Sequence, residues 1–259
     1  MRPVFNVPGE GIFALLMGSI SGYPIGAKTV SNLKSQGIIN SIESERLIAF
    51  TNNSGPLFIL GTVGISLFHS IKIGVILLIS HIISCLIVGF CFRWWKKNLE
   101  KNLYRDFTFD SSSSKVSFSN LGEILSKSVS NSINSILVVG GFVVLFSVVC
   151  SILEKSQILT LTSNIFAPLF GLFGISKEML SSILMGIVEL TNGLNSLSLF
   201  KFSNISIIIA SFLLGFGGIS ILLQVISITS KENISIKPYI IGKLLQGIIS
   251  SIITSLILL

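Results

Sequence analysis

Long apolar runs alternate with short polar breaks along this chain, and the spacing of the breaks predicts its elements. A membrane-spanning helix needs about 20 predominantly apolar residues. Lys72–Trp95, Ile133–Leu153 and Ile236–Leu259 meet that length without interruption. Leu47–Phe68 and Asn204–Ile228 are long enough but broken, the first by Thr51-Asn52-Asn53-Ser54-Gly55-Pro56 and the second by Gly215-Phe216-Gly217-Gly218. Proline and paired glycine break or kink a helix, and the freed backbone groups must then find partners inside the bilayer. Gly11–Lys28 and Glu178–Phe200 each place about 10 apolar residues on either side of a polar centre, at Ser19–Pro24 and Glu189–Gly193, so neither arm can cross and both segments predict re-entrant hairpins. Ile158–Gly174, with Pro168, Gly171 and Gly174, predicts an interfacial or partly inserted helix, and Asn98–Asn120, centred on Ser111–Ser114, a polar linker.

The order of these elements repeats. Shifting the chain by 168 positions places Glu10 on Glu178, Leu16 on Leu184, Met17 on Met185 and Gly18 on Gly186. After each match come a polar tip, a broken helix and an unbroken one. The chain therefore divides into a first repeat (1–97), a basic linker (98–120) and a second repeat with a preceding scaffold helix (121–259). The first residues, Met1 to Pro8, read like the interior of a protein rather than its start.

Composition agrees with a membrane protein. Half of the 259 residues are hydrophobic and 11% are charged, with a mean hydropathy of +0.86. A soluble domain of this length could not hide so much apolar surface. The formal charge is +7, but Arg93, Lys96, Lys97, Lys101, Arg105, Lys115 and Lys127 sit in or around one linker beside an apolar span. That distribution fits cytoplasmic retention by positive charge and not a nucleic-acid surface. With the linker in the cytoplasm, Lys28, Lys34, Arg46, Lys231 and Lys237 also fall inside, and the two repeats become inverted copies entering from opposite faces.

Inverted repeats with discontinuous helices are a transporter plan, because half-helix ends leave backbone groups free near the midplane. Glu189 stands out as an acid deep in an apolar segment, where an ionised carboxylate must be paired, hydrated or protonated. Thr51, Asn52, Asn53 and Ser54 offer amides and hydroxyls at the first break, and Ser220 and Gln224 follow the second. Lys28 reads as a hairpin-end cation, and His81 as a helix-to-helix hydrogen bond. Cys85, Cys91 and Cys150 have no paired spacing. No His/Cys cluster, nucleotide loop or serine elbow marks an enzyme, and no cofactor or metal is expected.

Two stretches carry a family resemblance. Met17-Gly18-Ser19-Ile20-Ser21-Gly22-Tyr23-Pro24-Ile25-Gly26-Ala27-Lys28 and Glu45-Arg46-Leu47-Ile48-Ala49-Phe50-Thr51-Asn52-Asn53-Ser54-Gly55-Pro56-Leu57-Phe58 resemble motifs of the YlbJ family of sporulation integral membrane proteins, also called SpoVV. Gly186–Gly193, Leu214–Ser220 and Lys237-Pro238-Tyr239 agree as well. The resemblance implies a gate, or nucleoside-recognition, domain similar to concentrative nucleoside transporters, with substrate held between two hairpins and two broken helices. Carried over, Ser21, Tyr23, Asn52, Asn53, Glu189, Thr191, Asn192 and Ser220 form the substrate site. It also implies dipicolinate as the substrate, moved from mother cell towards forespore. Location in the cell membrane or outer forespore membrane follows, and proton or sodium coupling and homo-oligomers are compatible with it. A nucleoside-type transporter and a non-transporting membrane partner in spore maturation are the rival readings. Family members are longer at the N-terminus, which implies a truncated chain or an internal start. The expectation is thus an all-α polytopic membrane protein of inverted repeats, each with a re-entrant hairpin, a broken span and an unbroken one.

Overall fold

The structure is a computed structural model that describes residues 1–100, 121–200 and 203–259; most of the linker expected at 98–120 lies outside these. After a short helix α1 (Arg2–Phe5), helices α2 (Gly11–Ser21) and α3 (Ile25–Ser35) form a hairpin around Gly22-Tyr23-Pro24. The second arm runs seven residues past Lys28, and near its end Lys34 Nζ donates to the Asn233 carbonyl. Next come α4 (Ser41–Thr51), a gap, and a π-helix (Phe58–Leu67), which together make the first broken span. The unbroken α5 (Ile71–Phe92) follows, then a single turn, α6 (Lys97–Glu100).

The second half opens with α7 (Leu121–Lys155) and α8 (Ile158–Gly171), then repeats the plan. Helices α9 (Lys177–Val188) and α10 (Leu190–Ser198) form the hairpin, α11 (Asn204–Phe216) and α12 (Gly218–Thr229) the broken span, and α13 (Lys237–Leu258) the unbroken one. Among the described residues, four stretches are long and apolar enough to cross a membrane: α5, α7, the α11–α12 stack with the turn after it, and α13. This is the all-helical polytopic architecture that the hydrophobic pattern predicts. Helix α7 begins twelve residues before Ile133, its polar first turns continuing the apolar span.

Local chemistry sets several helix starts. Asn40 and Glu43 form a capping box on α4, and Ser70, Ser176 and Ser203 cap α5, α9 and α11. In lipid there is little hydrophobic drive between helices, so close backbone approach and hydroxyl bonds hold them together. Helices α11 and α13 show both. A Cβ at Gly215 would lie 2.6 Å from Gly247 Cα. The Ser211 and Ser250 hydroxyls are 2.7 Å apart, and Thr254 donates to Ser211 at 2.7 Å.

The hairpins close in the same way. Gly18 and Gly26 lie against the Thr51 carbonyl, and a Cβ at Gly193 would overlap the main chain of Gly186. Gly193→Val should therefore pry α10 from α9 and cost about 1–3 kcal/mol or more. Gly140, on an open face of α7 with nothing within 4 Å, supplies the control. Thermal unfolding of the purified variants should show a large fall for Gly193→Val and little for Gly140→Val; equal melting would mean that the hairpin tolerates separation.

Candidate functional site

Both breaks lie beside hairpin tips, and that junction is the candidate site. At the first tip Gly22 has φ +81, a conformation that glycine reaches without steric cost. The tip lies against Gly55 in the first break. The Tyr23 hydroxyl crosses to the second break, donating to the Leu214 carbonyl at 3.3 Å and lying close to Gly217, whose φ of +87 ends α11 and starts α12. The second tip turns at Glu189, whose backbone is extended and whose carboxylate accepts the Asn192 N–H at 2.7 Å, capping α10. Gly218 lies against the Gly186 and Ile187 carbonyls of that hairpin.

A cavity of about 350 Å³ opens where these parts meet. The first hairpin lines it with Ser21, Gly22 and Tyr23, the first break with Ser54, Gly55 and Leu57, and the second hairpin with Glu189, Leu190 and Thr191. Helix α12 adds Ser220, Ile221 and Gln224, and α7 adds Val139 and Val143. Glu189 is 2% exposed and is the charged side chain on this wall. Ser220 Oγ and Gln224 Oε1 are buried and have no hydrogen-bond partner among the described residues. They sit four residues apart, on one face of α12.

The eight residues singled out by sequence thus separate into two groups. Ser21, Tyr23, Glu189, Thr191 and Ser220 line the cavity. Asn52, Asn53 and Asn192 do not; they tie the surroundings together. Asn52 Oδ1 accepts the Ala27 N–H at 3.3 Å, and its amide donates to the Tyr239 hydroxyl at 3.2 Å. The Asn53 amide donates to the Phe50 carbonyl at 2.8 Å, and its oxygen accepts from Gln246 at 2.9 Å. Asn192 donates to Ser147 on α7 at 2.9 Å. His81 Nε2 accepts the Ser54 N–H at 3.3 Å, so it braces a break rather than a second helix.

Sequence reasoning missed Lys243 and Gln246. Lys243 is 1% exposed; its ammonium donates to the Asn52 carbonyl at 3.1 Å and to Gln246 Oε1 at 2.7 Å, and lies 5.1 Å from the Tyr23 ring centroid. The signal was present: Tyr239, Lys243, Gln246, Ser250 and Thr254 recur at helical spacing and make one polar stripe on α13. Arg46, which the charge rule assigns to the cytoplasmic side, is also fully buried and donates to the Trp95 and Asn6 carbonyls.

Two interrupted spans and two hairpins converging on a polar cavity define an all-helical polytopic membrane protein with a central polar cavity. The family model Gate, described as nucleoside recognition, matches residues 136–232. The chain is 36% identical over 269 residues to the sporulation integral membrane protein YlbJ of Bacillus subtilis, covering 99% of this chain and 66% of that protein. It belongs to the YlbJ family of sporulation integral membrane proteins. The chain spans about two thirds of that relative's length. No solved structure matches it.

Proposed function

We propose that this protein is a transporter acting in sporulation. It carries a small anionic metabolite through the central cavity, with dipicolinate as the first substrate to test. The observation that carries the proposal is the cavity itself, with both hairpin tips, the first break and the first turns of α12 on its wall. Its volume lies within the usual range of about 300–1,000 Å³ for small-molecule sites. Three helices begin on that wall: the π-helix behind Leu57, α10 at Leu190 and α12 just before Ser220. Helix N-termini carry roughly half a positive charge and favour anions. A planar aromatic dicarboxylate also suits the mixture of Tyr23, hydroxyls and aliphatic wall. The inverted-repeat reading is supported by the packing of the ends. Lys34 in the first hairpin meets Asn233 after α12, whereas Asn204, following the second hairpin, donates to the Leu258 carbonyl at the far end of α13.

Glu189 then acquires a role. A carboxylate beside a bound anion is repelled by roughly 4 kcal/mol at 4 Å with an effective dielectric constant near 20. An accompanying cation, a proton or a sodium ion, offsets that cost, so uptake should depend on one of them. Glu189→Gln keeps an oxygen to cap α10 and removes the charge. Accumulation driven by a gradient of that cation should fall at least about tenfold, equivalent to roughly 1.4 kcal/mol, and its dependence on the cation should flatten; an unimpaired variant with the wild-type cation dependence refutes the coupling.

The full-length protein in liposomes should take up labelled dipicolinate saturably, with excess unlabelled dipicolinate competing and uridine or adenosine not. Strong competition by nucleosides would favour the second reading, a nucleoside-type transporter, for which the name of the matching family model speaks. Absence of uptake of either solute would leave a membrane partner without transport.

A further inference from the structure

A second polar cavity, of about 320 Å³, lies between α3, α7 and α12. Its wall carries Lys28 and Asn32 from α3, Asn134 and Ser135 from α7, and Lys231 and Glu232 after α12. In a chain with 11% charged residues, two ammonium groups and one carboxylate around a single cavity leave a net positive site. Helix α7 contributes amide and hydroxyl groups but no charge to it. Lys28 is already oriented, with Nζ 2.8 Å from Ser135 Oγ. An ammonium has three donors, and one bond to a hydroxyl does not balance its charge.

The position of this cavity gives it a use. Tyr23 lines the central cavity and its neighbour Pro24 lines the second; Val139 faces one and Val138 the other. On α12, Gln224 belongs to the first and Ile228, one turn later, to the second. The two are therefore stacked along the same helices on either side of the first hairpin tip. The second lies towards Lys34, Asn233 and the end of α12, the side that positive-charge retention assigns to the cytoplasm.

We propose that this second cavity is a carboxylate-binding vestibule, in which Lys28 and Lys231 hold an anionic solute before it passes the Tyr23-Pro24 tip into the central site. Its role in uptake rests on the transporter reading, while its capacity to bind a carboxylate does not. An ammonium pair at the mouth of a low-dielectric passage concentrates anions locally, an effect that salt screens. Neutral solutes gain nothing from it.

The test uses dipicolinate as the probe, the full-length protein, and the variants Lys28→Gln/Lys231→Gln and Lys28→Arg/Lys231→Arg. For uptake into liposomes, the Gln pair should raise KM five- to tenfold with maximal rate retained, and should abolish the rise of KM with added salt. The Arg pair should restore both. An unchanged KM and salt response, or a loss of maximal rate alone, overturns the proposal. Equilibrium dialysis of labelled dipicolinate against detergent-purified protein separates this proposal from the transporter reading. Binding weakened in the Gln pair and restored in the Arg pair supports the vestibule even where liposomes show no uptake, a result that would count against transport only. Equal binding by all three proteins overturns the vestibule.

Discussion

Gln224→Leu should weaken substrate binding by about 5- to 150-fold while leaving the empty protein as stable as before, or more stable. Gln224 is 2% exposed on the wall of the central cavity, and its Oε1 has no partner among the described residues. A buried acceptor without a donor costs about 1–3 kcal/mol in the folded protein, and an apolar group of similar shape removes that cost. A bound solute that brings a bridging water to this oxygen, an ionised dicarboxylate having no donor of its own, recovers the same energy, which converts to about 5- to 150-fold in affinity. Ser220→Ala, one turn earlier on the same face, should act in the same direction with a smaller effect. Melting of the substrate-free protein and equilibrium binding of labelled solute check the two halves separately. A variant that melts lower and binds normally would make Gln224 a packing residue instead.

Lys243→Met should do the reverse, damaging the fold before the site. Its ammonium satisfies the Asn52 carbonyl, where α4 ends, and Gln246 Oε1, in fully buried surroundings. Methionine fills much of the volume but donates nothing. Two buried acceptors then lose this donor at about 1–3 kcal/mol each, a total of about 2–6 kcal/mol against a typical stability of 5–15 kcal/mol. Arginine should rescue poorly, because a planar fork does not fit where a compact ammonium sits between two oxygens. Size-exclusion analysis after heating should show the variant aggregating at a clearly lower temperature. A melting temperature equal to wild type would falsify the view that this lysine holds the first break together.

These two residues show what kind of information a polar position carries. Gln224 and Ser220 were legible as site candidates because they follow Gly217-Gly218, where a helix must restart. Asn52 and Asn53 looked equally good by the same logic, since they occupy the other break. Yet their amides turn to Ala27, Tyr239, Phe50 and Gln246. An asparagine beside a broken helix can serve a solute or the loose backbone, and only its neighbours in space decide which. Lys243 was hidden for a related reason. It lies in a 22-residue apolar helix whose length and hydropathy already explained it as a span, so the polar stripe from Tyr239 to Thr254 drew no attention. Its partner, the Asn52 carbonyl, is 191 residues away.

By itself the sequence determined that this is a membrane protein, where its apolar spans lie and break, and that one order of elements occurs twice. Those properties are local: apolar run length, proline, paired glycine and capping residues act within a few turns of the chain. Only the tertiary structure decided which polar groups face a cavity, that a lysine braces a break from the opposite half, and that a second basic cavity lies below the first hairpin tip. Those properties depend on side chains from distant helices meeting at hydrogen-bond distance, and helical period fixes the face a residue occupies without naming what lies across from it.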